Sequence, residues 1–434
     1  MDYNFEADSK NYAMAMSTRM RGDIGWMLVG RFVNAISLWC VVIALAHLGS
    51  AEMLGRYTYA LALIAPLVMF SRLNLRVFMV TDVERRFHAR DYLSTRLVTN
   101  ALVLICVVVL VGFQNMEPLL AGTVLSVMVF KLAESSSDFY HGQMQLRELI
   151  RPFAMSLALH GVVCLAAFTI ALVVFDSLIA GALLTAVGWV FLLYGYDRPQ
   201  ASGSDGKQLR ITFARVPSVM KSCLLLGVLM GLLSLRINLP VYFIKGEFGL
   251  EDLGLYSAAA YFLLIGNLIA TSVMEVSLPR LARARVEQGR REVGRLSLSI
   301  LALLLGMGGI GICLALLFGE WAMLMIYGEP YAQAGGLLVL FAIAVTISFA
   351  AQLLGSLLTI RRLFAYQILA NLTGIFTIAL VCEFSLPPYG LIGAGMAIIA
   401  GNLALLLVNA LSVLSFRKTI FPAHPLNTSD GSSP

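Results

Sequence analysis

The chain has 434 residues, of which 59% are hydrophobic and only 13% charged. Soluble domains are nearer a quarter charged, so this composition excludes an ordinary soluble protein and is that of a membrane protein. The net charge of +6 invites a nucleic-acid reading, but the placement of the bases accounts for it without one.

Residues 1–20 read as unstructured and residues 1–23 as a short N-terminal tail. The first apolar run begins near Ile24 and is too long for a cleavable signal, so it is expected to be the first span itself. Runs of about 20 apolar residues can cross the ~30 Å hydrocarbon layer as helices. Twelve are present, near 24–47, 57–80, 95–113, 119–140, 153–174, 177–196, 219–244, 255–279, 296–318, 335–359, 363–383 and 389–415. The polar segment 197–218, "DRPQASGSDGKQLRITFARVPS", divides a six-span lobe at 24–196 from a second at 219–415. Residues 416–434 form a polar tail. Six cysteines, at 40, 106, 164, 223, 313 and 382, fall singly inside apolar runs and read as small core hydrophobes. No metal-ligand spacing and no cofactor motif is present.

Loop charges orient the spans. Twenty-four bases, with Arg96 and Lys221 in the first turns of their spans counted among them, lie on the termini and even-numbered loops, against two, Arg56 and Lys245, on the odd-numbered ones. The bias puts both termini in the cytoplasm. Trp26, Trp189, Tyr194, Trp321 and Tyr327 fall near span ends and read as interfacial anchors. The longest odd loop, roughly 319–334, holds two glutamates and no His or Asp, so a membrane-embedded sugar polymerase or ligase is disfavoured.

The two lobes repeat a plan. "LGSAEMLGRYTYALAL" matches "FGLEDLGLYSAAAYFL", so Gly55 and Tyr57 align with Gly254 and Tyr256 at an offset near 199. "ERRFHARD" matches "RARVEQGRRE", and "SLIAGALLTAVG" matches "GLIGAGMAIIAG", in the same order. Six spans per half make the repeats parallel, related by a pseudo-two-fold along the membrane normal.

With "LGRYTYALAL" opening the second span, "SLPRLARAR" closing the eighth and "PPYGLIGAGMAI" opening the twelfth, the chain resembles the multidrug/oligosaccharidyl-lipid/polysaccharide (MOP) exporter superfamily. Within it the likeness is to Wzx-type flippases. The resemblance implies an all-α polytopic protein with two six-helix bundles in a bacterial inner membrane. It also implies alternating access for a lipid-linked oligosaccharide, no enzymatic activity, and a polysaccharide polymerase or chain-length regulator as partner. A drug or cation antiporter of the same superfamily is the alternative.

Apart from Arg96 and Lys221, the spans carry five bases, Arg31, Arg72, Arg76, Lys131 and Arg236, against three acids toward the bundle side, Glu134, Asp138 and Glu275. Charge inside a bilayer costs about 3 kcal/mol per group on insertion scales and marks a functional site. Arg72 and Arg76 are four residues apart and are expected to share a helix face. Lys131, Glu134 and Asp138 are spaced to pair along one helix. Arg31, Arg72 and Arg236 lack an acid at such spacing and are expected to line a cavity, with Asn34 and Asn238 beside them. Guanidinium forks grip phosphate oxygens, and undecaprenyl-diphosphate presents two phosphates. Arg31, Asn34, Arg72, Arg76, Lys131, Arg236 and Asn238 are therefore the expected substrate contacts. Arg76 and Glu275, again 199 residues apart, are the expected gating pair. His47 and His160 read as interfacial or packed histidines, and Asn371, Thr373 and Thr377 as interhelical hydrogen-bonders.

Overall fold

The computed structural model describes residues 5–82, 86–202, 211–287, 290–361 and 363–416, and among these no strand occurs. Its helices are α1 (Phe5–Leu48), α2 (Ala51–Arg72), α3 (Leu75–Thr81), α4 (Ala89–Phe113), α5 (Pro118–Leu146), α6 (Ile150–Phe175) and α7 (Leu178–Leu192). After a π-helical turn at Leu193–Asp197 follow α8 (Arg198–Ser202), α9 (Val216–Glu247), α10 (Gly249–Glu287) and α11 (Arg290–Tyr327). A 3₁₀ turn at Glu329–Ala334 leads to α12 (Gly335–Ile360), α13 (Phe364–Tyr389) and α14 (Leu391–Ser415). Eleven described segments are long and apolar enough to cross a bilayer. The 39-residue α10 occupies the place of the eighth expected span.

Several boundaries differ from expectation. α1 starts at Phe5 instead of near residue 24, because no glycine or proline interrupts the chain before Gly22. The sixth span runs through the π turn and α8 to Ser202, into the expected linker. α11 continues to Tyr327, so most of the expected 319–334 loop is helix or 3₁₀ turn. The second span is broken. Leu73 and Asn74 both take φ 50°, in the left-handed region, and split it into α2 and α3. Asn tolerates that conformation, and burial of Leu73 with Leu75, Met79, Tyr92 and Phe139 holds it in place.

The chain packs as two compact units, residues 1–44 with 71–224, and residues 45–70 with 225–434. In the first, α1 lies directly against α6. Gly30 leaves no space for a Cβ beside the Ala154 backbone, and a Cβ on Gly161 would stand 2.8 Å from the Asn34 Cα. The Asn34 side chain donates across the same seam to the Leu157 carbonyl at 2.9 Å. Phe130 and Trp189 meet edge to face at 5.5 Å, and the Trp189 indole donates to the His160 carbonyl at 2.9 Å. Helices in lipid gain little from burying apolar surface against one another, so small residues and cross-helix hydrogen bonds hold such seams.

The second unit uses the same devices. Asn402 and Asn409 on α14 donate to the Ala344 and Ala351 carbonyls of α12, at 2.9 and 3.1 Å. The first part of α2 packs here, with the Tyr242 hydroxyl donating to the Ala62 carbonyl at 2.6 Å. α2 and α10 approach backbone to backbone. Gly55 faces the Leu250 carbonyl with no room for a Cβ, and Gly254 faces the Ala51 carbonyl in the same way. These are the glycines of the repeated motif. Both contacts obey its offset, since 254 − 55 and 250 − 51 each equal 199. The accompanying Tyr57 and Tyr256 are buried.

Candidate functional site

The charged cluster of the first unit is built on α5, where Glu134 and Asp138 stand one turn apart and face α3 and α4. Glu134 accepts Arg72 at 2.9 Å through one oxygen and Lys131 at 2.7 Å through the other. Asp138 accepts Arg96 at 2.9 Å and lies 3.5 Å from Arg76. The Arg76 guanidinium also sits over the Phe153 ring at 5.7 Å. The break at Leu73–Asn74 removes the continuous helix face on which Arg72 and Arg76 were expected. They converge because each reaches a different acid of α5, not because they are i and i+4.

Two expectations are corrected here. Arg72 is not without an acid: its partner is on another helix. Arg96 belongs with the interior charges, although its position at the start of the third span had placed it among the loop bases. It is 1% exposed and carries its own polar support. Its Nη1 donates to Ser135 at 3.4 Å, and Ser135 donates to Asn100 at 2.8 Å. Asn100, one turn after Arg96, was the signal in the sequence that a polar face continues into this span.

Four cations, Arg72, Arg76, Arg96 and Lys131, thus share two carboxylates, leaving a formal excess of two positive charges among these six side chains. The Nε atoms of Arg72 and Arg96 are buried without hydrogen-bond partners. Arg76, Lys131 and Glu134 each keep between a quarter and a third of their side-chain surface open, whereas Arg96 is closed off. The cluster therefore has an accessible rim and a sealed base. Its residual charge suits an anion, and guanidinium groups bind phosphate oxygens in charge-assisted pairs.

Of the other expected contacts, Arg31 is partly buried on α1. Asn34 is spent on the α1–α6 seam. Asn238 donates to the Ser234 carbonyl of its own helix at 2.8 Å, so it serves α9 and not a ligand. Glu275 lies outside the residues whose side chains are described.

Arg236 belongs to the second unit and differs from the cluster in having no described acid. Its Nε donates to Asn371 Oδ1 at 3.2 Å and its Nη1 to Asn402 Oδ1 at 2.6 Å. Gly374 makes room for its stem, since a Cβ there would stand 2.9 Å from the Arg236 Cδ. Asn371 is thus an interhelical hydrogen-bonder, and its partner is the arginine.

His160 joins a buried network that the sequence did not reveal. Ser156 donates to Asp197 Oδ1 at 2.6 Å, which leaves its oxygen to accept His141 Nε2 at 2.7 Å. His160 Nδ1 donates to the Ser156 carbonyl at 2.8 Å, and its Nε2 faces the Ser137 hydroxyl at 3.2 Å. Ligand-type atoms of His141, His160 and Asp197 lie within 4.8 Å of one another. Both Nε2 atoms are already engaged, so the trio ties α5 and α6 to the π turn. It would have to give up those bonds to hold a metal.

No family profile matches the chain. It is 24% identical over 401 residues to the capsular polysaccharide biosynthesis protein CapF of Staphylococcus aureus, across 92% of this chain and 99% of that one. Among solved structures, an inward-facing multidrug resistance MATE family transporter of the MOP superfamily superposes with a TM-score of 0.73. It does so at 10% identity, over 92% of this chain and 98% of that chain. The chain has the MOP superfamily fold. The lipid II flippase MurJ in an inward closed conformation gives the same TM-score of 0.73 at 12% identity, over 89% of this chain and 87% of that one. The MOP fold agrees with the family resemblance in the sequence, and the apolar segments make the chain a multi-pass helical membrane protein.

Proposed function

We propose that this MOP-fold protein is a flippase for a lipid-linked oligosaccharide. It carries an undecaprenyl-diphosphate-linked repeat unit from the cytoplasmic to the outer leaflet of a bacterial inner membrane, with both termini cytoplasmic. The product feeds surface polysaccharide assembly, where a polymerase or chain-length regulator takes it on. The likeness to CapF, a capsular polysaccharide biosynthesis protein, supports the pathway.

The observation that carries the substrate is the excess of two positive charges around Glu134 and Asp138. A diphosphate diester brings two negative charges. On arrival its oxygens share Arg72, Arg76 and Lys131 with the two carboxylates, neutralising the excess, while Arg96 stays on Asp138. Arg31 on α1 is assigned to the same substrate path. A cation antiporter would need free acids, and both described acids of the cluster are committed to bases. A flippase is preferred to an enzyme because the solved structures that share the fold are transporters and a flippase.

The test is translocation of a labelled lipid-linked oligosaccharide in proteoliposomes. Losing one charge-assisted contact costs about 2–3 kcal/mol. Arg72→Gln or Arg76→Gln should therefore weaken substrate binding roughly 30- to 150-fold with insertion intact. Arg72→Lys should restore part of the loss, because it keeps the charge without the fork. If the Gln variants fold and flip substrate at the wild-type rate, the diphosphate reading is wrong.

A further inference from the structure

Within the second unit, α9, α10, α12, α13 and α14 line an open cavity of about 340 Å³. That volume lies at the small end of ligand sites, which run about 300–1,000 Å³. Leu229, Met230 and Leu233 of α9 and Met274 of α10 give it an apolar side, and Arg236, further along α9, joins Gln352, Ser356, Gln367, Asn371 and Asn409 in its polar lining.

The hydrogen-bonding demands of the polar wall define an occupant. Arg236 spends Nε and Nη1 on amide oxygens, and its Nη2 bonds to no described residue. Arg236 is only 9% exposed and no described acid reaches it, and a buried charge without a counter-charge is costly. The three other amides have their orientation set by what their nitrogens reach. Asn409 donates to the Ala351 carbonyl at 3.1 Å and Gln367 to the Gly355 carbonyl at 2.7 Å. Gln352 donates to Asn267 Oδ1 at 3.1 Å, and Asn267 is itself fixed by donating to the Leu263 carbonyl. The Gln352 and Gln367 side-chain oxygens are therefore the acceptors left over, whereas Asn409 Oδ1 is sealed within the packing and is not open to the cavity. The polar lining offers one cation and two acceptors.

A bare anion such as chloride satisfies the guanidinium and leaves the acceptors unmet. A neutral hexose does the reverse. We infer that this cavity binds a carboxylated sugar, a uronic acid, with its carboxylate on Arg236 and its hydroxyls donating to Gln352 and Gln367. The apolar wall accommodates the C–H face of the ring. The choice of a sugar rests on the flippase reading, which this deepens: the repeat unit contains an acidic residue that the second unit samples during passage.

The experiment measures binding of free glucuronate and galacturonate to the purified full-length protein, by calorimetry and by thermal shift. Glucose, galactose, acetate and chloride at matched ionic strength are the comparisons. A uronate should bind at least about tenfold more tightly than the neutral hexoses or the simple anions, about 1.4 kcal/mol. Arg236→Gln should abolish the difference. Because that variant alters a buried residue, Asn371→Asp provides a second arm. It keeps the acceptor for Arg236 Nε, supplies a counter-charge inside the wall, and should weaken uronate binding by a similar factor. Equal binding of hexose, acetate or chloride, no uronate binding at all, or uronate binding that survives Asn371→Asp would each overturn the inference. Translocation of a lipid-linked oligosaccharide built only from neutral sugars is measured separately. If it proceeds while uronates fail to bind, the flippase reading stands and this pocket assignment falls. If uronates bind selectively while no lipid-linked oligosaccharide is moved, the pocket assignment stands and the flippase reading falls.

Discussion

Arg96 is the side chain on which the charged cluster of the first unit rests. It is sealed from solvent and holds Asp138 at 2.9 Å, and Asp138 in turn faces Arg76. Removing one member of a buried pair leaves the other charge uncompensated and costs about 3–5 kcal/mol. Arg96→Met should therefore lower the thermal unfolding midpoint of the purified protein strongly. The double variant Arg96→Met, Asp138→Leu should recover much of the loss, because no carboxylate is then stranded. A double variant no more stable than the single one would show that Asp138 does not depend on Arg96. Individual charges were legible in the sequence because charge is rare in apolar runs; their partners were not. Glu134 and Asp138 were assigned to Lys131 and to each other, since only neighbours along one helix can be paired from spacing alone. That Arg72, Arg76 and Arg96 all turn toward α5 depends on how the helices pack.

At the scale of elements, the break after α2 decides where Arg76 points. Asn74 adopts φ 50° and ψ 32°, a conformation that costs ordinary side chains roughly 1–2 kcal/mol. Asn74→Gly should be nearly neutral. Asn74→Val should destabilise by about 1–2 kcal/mol and draw α2 and α3 toward one continuous helix. Hydrogen exchange at residues 73–78 reads this directly: added protection in the valine variant supports it, and an unchanged pattern in both variants refutes it. The sequence marked the eleven described apolar spans because about 20 consecutive apolar residues have few other uses. It missed the break because Leu73 and Asn74 keep the run's polarity pattern, and only their backbone departs from it. The π turn at Leu193–Asp197 escaped for a similar reason. It brings Asp197, which looks like the first polar residue of a linker, to full burial beside Ser156.

Taken as a whole molecule, the exposed surface is rich in large apolar side chains, among them Phe376 at 68%, Phe384 at 72% and Leu317 at 74%. In water such a surface would aggregate, and in a bilayer it is the lipid contact. This belt was legible from composition. The contents of the cavity in the second unit were not, because Gln352, Gln367 and Asn409 are distant in sequence and converge only through the packing of α12, α13 and α14. The duplication was legible as matched glycines, and the structure adds what the match does. Gly55 meets the Leu250 carbonyl, and Gly254 meets the Ala51 carbonyl, as a contact and its symmetry mate. Such a pair is a single constraint written twice, so its energetics cannot be additive. Gly55→Ala alone should force α2 and α10 apart and cost about 1–3 kcal/mol, as overpacking does. Gly254→Ala should cost about the same. Once either methyl has separated the helices, however, the space for the second already exists. The double variant should therefore be less destabilised than the two single losses combined, with a coupling of about 0.5–3 kcal/mol. Strict additivity in that cycle would mean that the two glycines answer to separate neighbours.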